Sequence, residues 1–210
     1  MYYTLEYRTD KEAGNVFPQA SCINQDLAHR IPFDKLISLD EEILFQIEPK
    51  AILTDVLSQA AISADGLLLN KKVKDLLADF NIMQHRYYKC NIKDLKGFVH
   101  EYYWLHISDY SMLDKIDYKK SSFYSLKYGF REANISLDSY TDYKIQKDHL
   151  GKMWGIGSDF IKLNNEFDYS LDLFNVPIFG KKIYASKNLA MALDASEMKG
   201  FLLKETPLIE

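Results

Sequence analysis

The chain has 210 residues, 47% hydrophobic and 27% charged, with a net charge of −4. That balance suits one globular domain that buries about 70% of the surface its unfolded chain exposes, and it excludes a disordered segment. The 26 lysines and arginines are dispersed, with no basic run longer than two residues, so the positive stripe of a nucleic-acid-binding protein is missing.

Cys22 and Cys90 form no CxxC pair, which suits a reducing compartment and gives neither a disulfide framework nor a thiolate metal knot. Residues 1–10 lack a basic-then-apolar signal pattern, and no stretch approaches the ~18 apolar residues of a membrane span. The sequence thus predicts a cytoplasmic protein with no nucleic-acid and no membrane partner. Fifteen tyrosines and twelve phenylalanines predict a sheet with half-buried rings, and tyrosine is also enriched at protein interfaces.

In chain order, Tyr2, Tyr3, Leu5 and Tyr7 can start a strand, and Asn15–Pro18 reads as a turn. Glu42–Ile47 (EILFQI) is strand-like, with Pro49 closing it off. Asp65-Gly66 signals a turn before a short buried strand, Leu67–Leu69. Asn70 then caps a helix whose apolar stripe is Val73, Leu76, Leu77 and Phe80, and Asn81 stops it. His85–Ile92 returns as a strand.

Glu101–Ile107 (EYYWLHI) is large and apolar on both faces, as a central strand requires. Alternation puts His100, Tyr102, Trp104 and His106 on one face and Glu101, Tyr103, Leu105 and Ile107 on the other. Leu126–Asn165, with four glycines among scattered polar residues, reads as loops or an irregular hairpin.

Near the C-terminus, Lys182–Ala185 is a strand and Ser186 a cap. Leu189, Ala192 and Leu193 form a helical stripe, and Gly200 leads into the strand Phe201–Lys204. The segments Gly66–Cys90 and Lys182–Glu205 therefore share a strand–cap–Lys–helix–strand plan. This admits two readings: a loose internal duplication, or a common local way of covering a sheet with a helix, which is the more frequent case. The whole predicts a single α+β domain, a mainly antiparallel mixed sheet with a few short helices packed on it.

Chemical motifs are sparse. His85, Cys90, His100 and His106 share one stretch, but His100 and His106 sit ~20 Å apart along a strand, too far for one metal shell. Cys90 falls among apolar and aromatic neighbours, as an inert buried thiol does. Gly155-Ile-Gly157-Ser158 lacks the third glycine of a dinucleotide cradle. No catalytic residue, cofactor site or metal site is assigned.

What remains is an acidic, tyrosine-rich middle. Tyr110, Asp114, Asp117, Tyr140 and Asp142 are the candidate partner-binding surface, because tyrosines supply contact area at low entropic cost and carboxylates steer a basic partner. The other reading is an enzyme or small-molecule binder with its site within residues 126–165.

Three stretches resemble a family of bacterial immunity proteins, immunity family eleven. The first is Leu53-Thr54-Asp55-Val56-Leu57 with Gly66-Leu67-Leu68-Leu69-Asn70-Lys71-Lys72-Val73-Lys74-Asp75-Leu76-Leu77. The second is Tyr102-Tyr103-Trp104-Leu105-His106-Ile107 followed by Ile116–Phe123, and the third is Ile183–Leu189 ending in Lys199-Gly200-Phe201. The resemblance covers Leu53–Phe123 and Leu171–Glu205. The family usually offers serine at the first helix cap, where this chain has Asn70, which caps equally well. The resemblance implies a cytoplasmic, non-enzymatic protein that binds and neutralises a cognate toxin domain. It supplies no catalytic residues, and it leaves a homodimer open.

Overall fold

A computed structural model describes residues 1–179 and 182–206. In chain order the first strands are β1 (Tyr2–Tyr7), β2 (Ala20–Cys22), β3 (Ile43–Ile47), β4 (Val56–Leu57), β5 (Gly66–Asn70), β6 (His85–Lys93) and β7 (Val99–Ile107). They are followed by β8 (Ser122–Lys127), β9 (Phe130–Ile135), β10 (Trp154–Phe160), β11 (Leu173–Asn175), β12 (Ile183–Ser186) and β13 (Phe201–Thr206). The α-helices are α1 (Gln25–Ala28), α2 (Lys71–Leu77), α3 (Tyr140–Leu150) and α4 (Lys187–Ala195).

The α+β class is as predicted, but the strands divide among three sheets rather than one. A six-stranded sheet runs β2-β3-β6-β7-β5-β4, a four-stranded sheet runs β11-β12-β1-β13, and a three-stranded sheet runs β10-β8-β9. All pairings are antiparallel except β3 with β6.

β7 is central, and its two faces serve two cores. Leu105 and Ile107 join a core shared by all three sheets, with Leu5, Leu69, Phe123 and Phe174. Tyr102 and Trp104 face a second core with Phe45, Leu68, Tyr88 and Ile92. The period-two reading of this strand therefore holds residue by residue. Leu126–Asn165, expected as loops or an irregular hairpin, holds the turn and second strand of the β8–β9 hairpin, whose register shifts between Tyr124 and Leu126, and adds the unexpected α3 and β10. Ser139 caps α3 by accepting from the Asp142 amide, and Asp142 reaches back to the Asp138 amide, a reciprocal cap.

The two strand–cap–helix–strand segments are one topology used twice. β4-β5-α2-β6 flanks β7 as β11-β12-α4-β13 flanks β1, giving the orders β4-β5-β7-β6 and β11-β12-β1-β13. The registers match too. Asn70 sits opposite Tyr102 and Ser186 opposite Tyr2, which superposes Tyr102-Tyr103-Trp104-Leu105 on Tyr2-Tyr3-Thr4-Leu5. The helices correspond as well: Asn70 accepts from the Val73 amide and Ser186 from the Leu189 amide.

Each cap is gripped by an upstream aspartate. The Asn70 amide donates to the Asp55 carbonyl at 2.9 Å and the Ser186 amide to the Asp172 carbonyl at 2.8 Å. The side chains repeat the contact, Asn70 Nδ2 to Asp55 at 2.8 Å and Ser186 Oγ to Asp172 at 2.5 Å. The second carboxylate oxygen then binds the other unit, Asp55 taking the Lys199 amide at 2.7 Å and Asp172 the Asn81 amide at 3.1 Å. The shared plan is a structural repeat with a reciprocal clamp, its central strand after the flanking pair in one unit and at the N-terminus in the other.

Candidate functional site: an acidic and aromatic face

The sequence points to Tyr110, Asp114, Asp117, Tyr140 and Asp142, and the fold treats them differently. Asp109 caps the short 3-10 helix Tyr110–Lys115 through the Ser111 amide, which leaves Tyr110 at the start of its first turn. Tyr110 is half-buried, with Phe33 at 6.5 Å between ring centroids. Tyr140 stacks on Tyr143 at 6.0 Å, because positions three apart share a helix face, and Tyr143 turns its ring edge to Phe179 at 5.4 Å.

Tyr118 completes the group from the buried side. Its hydroxyl donates to the Leu113 carbonyl at 3.0 Å, and its ring stacks on Phe123.

Electrostatics tie these tyrosines together. Burial pushes the Tyr110 hydroxyl up to about 12, and Asp34, Tyr140, Asp65 and Tyr143 push the same way. Tyr118 is raised by burial first, then by Asp114, Tyr140 and Tyr143. Tyr143 is raised by burial and then by Tyr140. Four hydroxyls and the carboxylates of Asp34, Asp65 and Asp114 therefore act on one another across one face. The raised values keep Tyr110, Tyr118 and Tyr143 neutral at physiological pH, so the charge on offer to a cationic partner is that of the carboxylates.

Asp117 and Asp142 have local duties. Asp117 accepts from the Lys120 amide and pairs with its ammonium at 3.2 Å, and Asp142 closes the α3 cap. The fold thus gathers Tyr110, Asp114 and Tyr140 and ties up the other two.

Sequence reading missed Phe33, Asp34 and Asp65. Phe33 is 63% exposed on the irregular strap that follows α1. A large apolar ring between Pro32 and Asp34 was the available signal. Asp65 accepts from Asn175 Nδ2 at 2.9 Å, so one of its oxygens also secures β11.

The strap is pinned from below. Tyr88 Oη donates to the Ile37 carbonyl at 2.9 Å, Arg86 to Ser38 at 2.7 Å, and Ser108 to the Phe33 carbonyl at 3.2 Å. Beneath it lies His106, fully buried, with Tyr88 stacked at 6.2 Å and no hydrogen-bond partner on either ring nitrogen. Burial drives its pKa down to about 4. The other histidines of that stretch lie apart: His85 contacts the Met83 carbonyl and His100 pairs with Asp94 at 3.1 Å.

A cleft of about 520 Å³ lies elsewhere, where Thr54, Asp55, Asn70, His100, Tyr102 and Lys199 meet. Most of its polar groups are joined to one another: Asp55 holds Asn70 and the Lys199 amide, and Tyr102 Oη donates to the Thr54 carbonyl at 2.5 Å. A Cβ at Gly200 would stand 2.0 Å from the Val56 carbonyl oxygen and 2.5 Å from Thr54 Oγ1, and its φ of +101° already favours glycine. The Leu53–Leu57, Asn70–Lys72 and Lys199–Phe201 motifs therefore converge on the seam between the repeated units.

Among the described residues, no helix is long and apolar enough to cross a membrane. Comparison with protein-family models and with curated proteins finds no match.

Proposed function

We propose that this chain is a cytoplasmic, non-enzymatic binding protein of the immunity type, which holds a basic toxin domain on the face formed by Phe33, Asp34, Tyr110, Asp114 and Tyr140. One observation carries the reading: the exposed ring of Phe33, beside Asp34 in the chain, lies 6.5 Å from half-buried Tyr110. The rings provide desolvated anchors, and the carboxylates raise the encounter rate with a cation. The reading takes up what the sequence resemblance of Leu53–Phe123 and Leu171–Glu205 implies; no family model matches the chain.

The test is neutralisation. The chain is co-expressed with the product of the adjacent reading frame, and cell survival is scored for wild type, Tyr110→Ala and Phe33→Ser. Protection by the wild type, lost in both variants while each remains folded, supports the reading. Undiminished protection by both variants would move the contact surface elsewhere.

A further inference from the structure

The far end of α3 presents a different surface. The β8–β9 hairpin turns at Tyr128-Gly129, and the turn before β10 lies beside it, with the Tyr128 amide donating to the Met153 carbonyl at 3.1 Å. Tyr128 is 67% exposed, Phe130 74% and Met153 63%. A Cβ added at Gly129 or Gly151 would meet nothing within 4 Å, so both turns project into open space.

Behind this apolar apex stand cations. Lys127 lies 5.2 Å from the Trp154 ring, Lys147 donates to the Trp154 carbonyl, and Lys152 follows Gly151. None of the three has a carboxylate partner among the described residues. Asp148 is the acid within the 147–152 turn. Along α3, Lys147 lies five residues, about 7.5 Å of rise, beyond Asp142, and Lys152 lies past the end of the helix.

We propose that this tip docks on an anionic lipid surface, with Tyr128, Phe130 and Met153 entering the headgroup region and the exposed Lys127 and Lys152 meeting the lipid charge. A protruding apex of aromatic and thioether side chains backed by lysines has the form of an interfacial anchor, whereas a protein partner favours a flatter, concave patch. The sequence predicts no membrane partner because it reads only for spans, and a tip of three residues from two turns leaves no linear trace.

The test is co-sedimentation of the full chain with vesicles of phosphatidylcholine alone and with about one quarter phosphatidylserine, at low and high salt. The wild type should pellet with the anionic vesicles and lose most of that binding in high salt. Lys127→Gln/Lys152→Gln should weaken it about 25-fold, at about five-fold per lysine. Tyr128→Ser/Phe130→Ser should abolish detectable pelleting with an unchanged melting temperature. Failure to bind anionic vesicles overturns the proposal, as does equal binding to neutral ones or binding that survives both double variants. Concentration-dependent self-association abolished by the same substitutions would also overturn it, assigning the tip to a second copy of the chain.

Discussion

Removing Asp55 or Asp172 should damage the fold to a similar extent, although the two lie 117 positions apart in the numbering. Each carboxylate accepts one side-chain donor from its own helix cap and one backbone amide from the opposite unit. A hydrogen bond to a charged group contributes about 1.5–3 kcal/mol when buried and less when solvent reaches it. Partly buried as these are, two bonds lost per site should cost about 2–4 kcal/mol in Asp55→Ala and in Asp172→Ala. At about 2–4 °C per kcal/mol for a chain of this size, melting should fall by roughly 5–15 °C. Urea denaturation of both variants measures the loss directly, read from midpoints at constant slope. A cost below about 0.5 kcal/mol at both sites would refute the clamp. A large loss at one site and none at the other would show that the repeat has no shared energetics.

Three further outcomes follow from packing and titration. His106 sits neutral in the core with its pKa lowered to about 4, so the unfolded chain takes up a proton that the folded chain refuses. Stability should therefore fall as pH drops from about 6.5 to about 4, by about 2–3 kcal/mol, and level off below that; His106→Leu should flatten this window in pH-resolved urea melts. An identical pH slope in the variant would contradict the assignment. Leu77→Ala should cost about 2–5 kcal/mol and Leu76→Ala less, because Leu77 is fully buried and Leu76 only partly. Equal losses in denaturation would mean that the helix face is wrongly assigned. Gly66→Ala would place a Cβ 2.1 Å from the Leu105 carbonyl oxygen and 2.7 Å from the Trp104 ring, so it should lower the melting temperature or prevent folding. A melting temperature equal to wild type would mean that β5 lies farther from β7.

Much of the fold was legible because its signals are local. β7 alternates with period two over two apolar faces, and Asn70 and Ser186 each precede a stripe of period 3.6. α3 was hidden for a physical reason: Tyr140, Tyr143, the Lys147 stem and Leu150 make its inward contacts, so it lacks an aliphatic stripe. Its Ser139…Asp142 cap was the readable sign. The repeat was half-visible. Tyr2-Tyr3 and Tyr102-Tyr103 match, but the permuted order puts the central strand at different distances from its partners, and β4 and β11 are too short to register. The face was legible in Tyr110, Asp114 and Tyr140. Phe33, Asp34 and Asp65 reach it through tertiary folding that no spacing encodes.

The central claim is that the acidic and aromatic face holds a basic partner. Association kinetics of the purified adjacent-frame product with wild type and with Asp34→Asn/Asp114→Asn test it most directly, across a salt series. The account predicts slower association in the double variant, by about ten-fold at low salt and converging with wild type as screening shortens the reach of charge, with thermal stability unchanged. An association rate equal to wild type at every salt concentration, for a partner that demonstrably binds, would contradict it.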